Sequence, residues 1–296
     1  MKTLPLERRQ FLFAAALAAI SPASFLLAER WKPLFPKLGE LEKRSGGRLG
    51  WAVLDTATDQ RFAHRGGERF PMCSTFKFLA VANVLLRADQ GREDLDRSVA
   101  FTKKDVVAHS PVTESYAGAS GMTLGKLCKA AMTESDNTAA NLLLASFGGP
   151  AGLNEFLVSI GDTKTHLDRT EPALNEAAPG DKRDTTTPSA MLENMRRILL
   201  GDVLKPSSVA TLTDWLIQSE TGTAMIRANL PADWKAGDKT GGGDHGTRND
   251  IAIIWPPQRK PILVTAYLTE CTLPDADRDA ILAELGRAIA DEIQGV

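Results

Sequence analysis

The chain has 296 residues, with 35 lysines and arginines against 37 aspartates and glutamates and a formal net charge of −2. No basic excess exists to release counterions from phosphates, which excludes a nucleic-acid binder held by bulk charge. At 43% hydrophobic and 24% charged residues, the composition is that of a globular protein long enough for one large core or for two lobes sharing an interface.

The first thirty residues read as an address. Arg8 and Arg9 stand directly before the apolar run 11–20, and Ser21-Pro22 ends it. Ten helical residues rise about 15 Å, half of a bilayer core, so the run suits the apolar part of an export signal and not a membrane anchor. The arginine pair resembles a twin-arginine signal, which implies export of an already folded protein. Residues 1–28 are then expected to be removed, leaving a soluble protein in the periplasm or outside the cell, off the membrane and, by default, a monomer.

Farther along, residues 33–43 suit a helix stopped by Ser45-Gly46-Gly47, and 49–55 with 60–64 read as a hairpin. Apolar spacing predicts helices over 75–88, 124–132, 137–147, 152–160, 189–200 and 207–220. Strands follow at 233–240, 248–255 and 262–269, divided by a glycine-rich turn over 241–246 and by Pro256-Pro257, before a last helix at 275–293. Two early and three late strands predict an α+β fold: a five-stranded antiparallel sheet carrying the terminal helices, beside an all-helical lobe. The sheet lobe takes residues 31–65 and 217–296, and the helical lobe takes 66–216. A site is expected where the lobes meet.

Metal and cofactor chemistry finds no support. Cys73, Cys128 and Cys271 form no C-x-x-C pair, and His64, His109, His166 and His245 lack H-x-x-x-H or H-x-H spacing. Each histidine reads as a surface or loop residue.

The segment after Ser74 is apolar on every face apart from Lys77 and Asn83. A helix apolar all round is buried, so Lys77 must lose its proton or be ringed by hydrogen-bond acceptors. Residues three apart share a helix face, which puts Lys77 within hydrogen-bonding reach of the Ser74 hydroxyl, at a helix start that favours a developing oxyanion. The plain alternative is an N-cap serine with a snorkelling lysine. Downstream, Ser135-Asp136-Asn137 precedes a helical run, and Lys239-Thr240-Gly241 ends a predicted strand. Either segment alone could be a helix cap or a turn; S-x-x-K, S-D-N and K-T-G together, in that order, are specific.

From about residue 33 to its C-terminus the chain resembles the class A serine β-lactamases, of the wider group of penicillin-recognising serine enzymes. The resemblance implies that Ser74 attacks a β-lactam carbonyl with help from Lys77, and that Ser135 passes the proton to the leaving nitrogen. It implies that Asn137 holds the substrate's side-chain amide. Lys239, Thr240 and Gly241 would meet the carboxylate of penicillins and cephalosporins, with Arg248 as second cation. The oxyanion hole would be the N–H groups of Ser74 and Gly242.

To turn over, the acylated serine needs water and a carboxylate to activate it, an effect of about 10²–10⁴-fold. In the family pattern E-x-x-x-N the general base is Glu171, and Asn175 shares its water. Segment 169–184, rich in Pro, Gly and charge, suits a compact Ω-loop. The resemblance implies that Arg169 and Asp184 close it and that the Glu171-Pro172 bond is cis, while Asp136 bonds backbone rather than substrate. Whether Lys77 or Glu171 with a water takes the Ser74 proton stays open. Relatives bridge Cys73 or Cys128 to positions that here hold Gly243 and Val81, so all three thiols are expected free; Cys73, beside the helix start and Lys77, is a candidate reactive thiol. Gly242 lacks the hydroxyl that many cephalosporin-active relatives carry there. Glu171 and Asn175 favour a β-lactam hydrolase over a D,D-peptidase or a β-lactam sensor that acylates and stops, neither of which needs the 169–184 loop.

Overall fold

In the computed structural model, which describes residues 34–118 and 121–295, helix α1 (Leu34–Ser45) leads into the antiparallel hairpin β1 (Arg48–Asp55) and β2 (Gln60–His64). The predicted export signal lies outside the described residues. A short strand β3 (Phe70–Pro71) and a 3-10 turn (Cys73–Thr75) open helix α2 (Phe76–Asp89). Next come β4 (Ser98–Val99), β5 (Met122–Thr123) and the helices α3 (Leu124–Thr133), α4 (Asn137–Ser146) and α5 (Gly149–Ser159). Strand β6 (Thr185–Thr186) precedes α6 (Pro188–Leu200) and α7 (Pro206–Ile217). The long strands β7 (Lys235–Gly243), β8 (Thr247–Trp255) and β9 (Ile262–Thr269) and helix α8 (Asp275–Gln294) complete the chain.

The sheet is five-stranded and antiparallel in the order β2-β1-β9-β8-β7, which is how two early and three late strands combine. Side chains alternate across it with period two. Leu49, Trp51 and Val53 of β1 and Ile262, Val264, Ala266 and Leu268 of β9 join one apolar cluster with Leu38 and Leu41 of α1 and Leu282, Leu285 and Ile289 of α8. Ala52 and Leu54, with Leu263 and Tyr267, turn the other way and join the core of the helical region. Burial on both faces explains why β9 has no polar edge in its sequence. Strand β7 lies at the sheet edge, so the backbone groups on its outer side have no neighbouring strand and face the helices.

Local chemistry sets the helix starts. The Thr123 hydroxyl caps α3, the Asp136 carboxylate caps α4 and the Thr187 hydroxyl caps α6, each accepting from the backbone N–H three residues on. One sequence expectation is corrected: Gly241-Gly242-Gly243 belong to β7, and the turn is confined to Asp244, His245 and Gly246. At Gly241 and Gly243 the nucleophile turn and the 169–184 loop pack directly on the strand. A Cβ at Gly241 would lie 2.8 Å from Met72 O, and one at Gly243 would lie 2.6 Å from Asn175 O.

The segment between α5 and β6 is tied at both ends. Asp184 is 1% exposed and accepts from the N–H groups of Asp168 (2.8 Å) and Arg169 (2.9 Å) and from Arg169 Nε (2.6 Å). Its own N–H donates to Asp168 Oδ2 at 3.2 Å, and β6 pairs with β3. The loop therefore ends where the nucleophile turn begins. Arg169→Ala removes the cation from a buried carboxylate and should lower the unfolding free energy by about 1–3 kcal/mol, read by urea denaturation. A loss below about 0.5 kcal/mol, the size of an ordinary surface substitution, would show that the pair does not hold the loop.

Candidate active site

Ser74 stands in the 3-10 turn at the start of α2 and is 9% exposed. Its predecessor Cys73 adopts φ 44°, a left-handed conformation that a residue with a Cβ keeps only when its surroundings hold it. The turn is held by Thr75, whose hydroxyl and N–H both donate to Met72 O, at 2.8 and 3.2 Å.

One helical turn on, Lys77 has no solvent exposure. Its Nζ donates to Ser135 O at 2.6 Å and to Asn137 Oδ1 at 2.6 Å, and lies 3.1 Å from Glu171 Oε1 and 3.3 Å from Ser135 Oγ. Burial pushes its pKa down, and the Glu171 carboxylate works against that fall. The Ser74 hydroxyl donates to Glu171 Oε1 at 3.1 Å rather than to Lys77. The hydrogen bond between Ser74 and Lys77 expected from their helical spacing is replaced by one to a carboxylate of the 169–184 loop.

Ser135, with φ 57°, presents its hydroxyl to both lysines, since Lys239 Nζ donates to the same Oγ at 3.0 Å. Asp136 takes no part in the cluster: it accepts from Val112 N, Thr113 N and Oγ1 and Ala139 N, and so fixes the loop before α4. Asn137 Nδ2 donates to Ala108 O at 2.8 Å, which leaves its oxygen for Lys77.

Glu171 is 3% exposed and follows the sequence expectation of a cis bond to Pro172. Asn141, one turn after Asn137 on α4, grips its backbone from both sides: Asn141 Oδ1 accepts from Glu171 N and Asn141 Nδ2 donates to Glu171 O, each at 2.9 Å. Asn175 Nδ2 donates to Glu171 Oε2 at 2.5 Å, while Asn175 Oδ1 is buried with no protein partner. One carboxylate oxygen thus serves Ser74 and Lys77 and the other Asn175.

Opposite them, β7 contributes Lys239 with no exposure and Thr240 with 6%. Burial, with the Lys77 charge close by, pushes the Lys239 pKa down to about 7. A cleft of about 420 Å³ opens above, lined by Ser74, Ser135, Asn137, Asn175, Thr240 to Gly242 and Arg248. Arg248 is not a free cation there, because Asp279 of α8 holds it through two hydrogen bonds, Nε at 2.5 Å and Nη2 at 2.9 Å.

One expectation changes at the thiols. Cys73, Cys128 and Cys271 are all free, but Cys73 is fully buried, and burial with the nearby Glu171 charge pushes its thiol up, away from the thiolate form. It is a packing residue against Gly243 and not a reactive thiol. His109 is an exposed loop residue, as the sequence reading has it, and also lines the cleft, together with Thr221, whose hydroxyl is 2.6 Å from that of Thr240. Neither residue belongs to a motif. Asn141 could have been found, since it repeats Asn137 at helical spacing; Asp279 and Thr221 carried no signal.

Residues 33–293 match the model of the beta-lactamase enzyme family. The chain is 46% identical over 284 residues to β-lactamase OXY-1 of Klebsiella oxytoca, covering 96% of this chain and 97% of the relative. It is 47% identical over 256 residues to β-lactamase L2 of Stenotrophomonas maltophilia, covering 86% and 84%. Among solved structures it resembles an ancestral class A β-lactamase at 61% identity and a TM-score of 0.86, over 89% of this chain and 100% of that one.

Proposed function

The chain belongs to the β-lactamase enzyme family, as a class A serine enzyme that hydrolyses β-lactam antibiotics and confers resistance to them, and from that premise we propose how its residues divide the reaction. The observation that carries the proposal is a single carboxylate, Glu171, within 3.1 Å of both the Ser74 hydroxyl and the Lys77 amine.

In acylation Glu171 takes the Ser74 proton as Oγ attacks the lactam carbonyl. The oxyanion forms against the N–H groups of Ser74 and Gly242, a donor pair in which each member is worth about 2.7–4 kcal/mol. As the C–N bond breaks, the proton travels from Glu171 through Lys77 to Ser135, whose hydroxyl delivers it to the leaving nitrogen. Lys77, with its lowered pKa and its contacts to both groups, is suited to relay a proton rather than to keep it. In deacylation the same Glu171 draws a proton from water, which attacks the ester; the unpaired Oδ1 of Asn175 offers that water an acceptor. Asn137 binds the substrate's amide. Lys239, Thr240 and Gly241 receive its carboxylate, with Arg248 contributing what charge Asp279 leaves it.

We further assign residues 31–65 with 217–296 to a sheet lobe and 66–216 to a helical lobe. Among the described residues no helix is long and apolar enough to cross a membrane. The twin-arginine pattern of Arg8 and Arg9 supports export of the enzyme.

Glu171→Gln leaves Lys77, whose pKa falls further without the carboxylate, to take the Ser74 proton more slowly, but removes the base for the water, so the cycle should stall after acylation. Incubated with a penicillin, the variant is expected to hold a persistent adduct on Ser74 by intact mass, with turnover down about 10²–10⁴-fold. Unchanged turnover would remove Glu171 as the deacylating base. A second experiment reads Lys239. Its ammonium, present below its pKa, is lost as pH rises through about 7, so kcat/KM for a carboxylate-bearing penicillin should fall across an alkaline limb far below the ordinary lysine value of 10.5. Bound carboxylate favours the ammonium, which moves the limb in kcat to higher pH. Lys239→Arg should abolish the limb; one that stays in place belongs to another group.

A further inference from the structure

Asn249 lies on β8, belongs to no motif and has no solvent exposure. Its side-chain amide donates to two backbone carbonyls of the segment leading into the nucleophile turn, Pro71 O at 2.8 Å and Met72 O at 3.1 Å. Its Oδ1 makes no protein hydrogen bond. In the sheet register Asn249 stands opposite Gly241 of β7. A Cβ at Gly241 would lie 3.3 Å from Asn249 Nδ2, 2.8 Å from Met72 O and 3.2 Å from Ser74 N, so strand, amide and turn converge at the glycine. Met72 is fixed on its other side as well, its N–H donating to Asp184 O at 2.9 Å.

The two N–H groups assigned to the oxyanion hole sit on different parts of the fold. Ser74 N belongs to a turn that begins with the left-handed Cys73, while Gly242 N belongs to an edge strand. Both must lie 2.7–3.1 Å or so from one developing oxyanion, and an error of about 1 Å in such a site costs roughly 10²-fold. We infer that Asn249 is a positioning residue for this pair: by tying the Pro71 and Met72 carbonyls to β8, and through the β7–β8 ladder to Gly242, it sets the separation of the two donors. The inference rests on the assignment of Ser74 and Gly242 N–H as that hole.

The test uses the Glu171→Gln protein, in which the acyl-enzyme accumulates, and isotope-edited infrared spectroscopy of a penicillin labelled with ¹³C at the lactam carbonyl. Hydrogen bonds from the hole lower the ester carbonyl frequency. Adding Asn249→Ala should raise and broaden that band, and in the otherwise unaltered enzyme Asn249→Ala should lower kcat about 10- to 100-fold with less change in KM. Asn249→Ser, which keeps one donor, serves if the alanine variant does not fold, and should give a shift in the same direction. A folded variant whose ester band stays at the parent frequency, or whose loss is confined to KM, overturns the inference and leaves the donor assignment standing. Absence of any ester band in the Glu171→Gln parent would strike at Ser74 and Glu171 themselves, and at this inference with them.

Discussion

A lysine nitrogen with no access to water is the constraint around which this enzyme is arranged. An isolated ammonium in such a place is costly, and the cost is met only where acceptors surround it. Lys77 finds them on separate segments: Ser135 and Asn137 before and at the start of α4, and Glu171 on the 169–184 loop. The charge therefore does structural work that the motif spacing alone does not suggest. It draws the turn before α4 and the loop onto the first turn of α2, where Ser74 waits. In these segments Cys73, Ser135, Ala177 and Asp184 hold left-handed conformations despite carrying a Cβ.

The same arrangement explains how one carboxylate can serve both halves of the cycle. Glu171 is fixed by backbone bonds to Asn141 and by the Asn175 amide, so it approaches Ser74 without depending on a long mobile side chain. Two buried amines then share one hydroxyl, Ser135 Oγ, and each is biased toward giving up its proton. Proton transfer among such groups needs little reorganisation, because their partners are already in place.

Much of this was legible in the sequence. The hairpin of 49–55 with 60–64 and the three late strands marked the sheet, and the all-round apolar α2 marked Lys77 as buried. The three short motifs and the E-x-x-x-N pattern named most of the residues that meet at the cleft. What stayed hidden depends on pairing across long stretches of chain. Spacing placed Ser74 and Lys77 on one helix face but could not say that the hydroxyl would turn to Glu171, ninety-seven positions away. Arg248 reads as a free cation until α8 folds back and Asp279 grips it. The glycine run at the end of β7 reads as a turn, because nothing local reveals the nucleophile turn that presses on it. Asn249 was silent for the same reason, both its acceptors being carbonyls in another part of the fold.

The central claim is that burial and Glu171 pull the Lys77 proton in opposite directions, and an NMR titration of ¹³Cε-labelled lysine, with the Lys77 resonance identified by its loss in Lys77→Arg, tests it directly. The account predicts a midpoint below the ordinary 10.5 in the wild-type enzyme and a lower one still in Glu171→Gln, where the carboxylate no longer opposes burial. A midpoint at the ordinary value, or one that Glu171→Gln leaves unmoved, would contradict it.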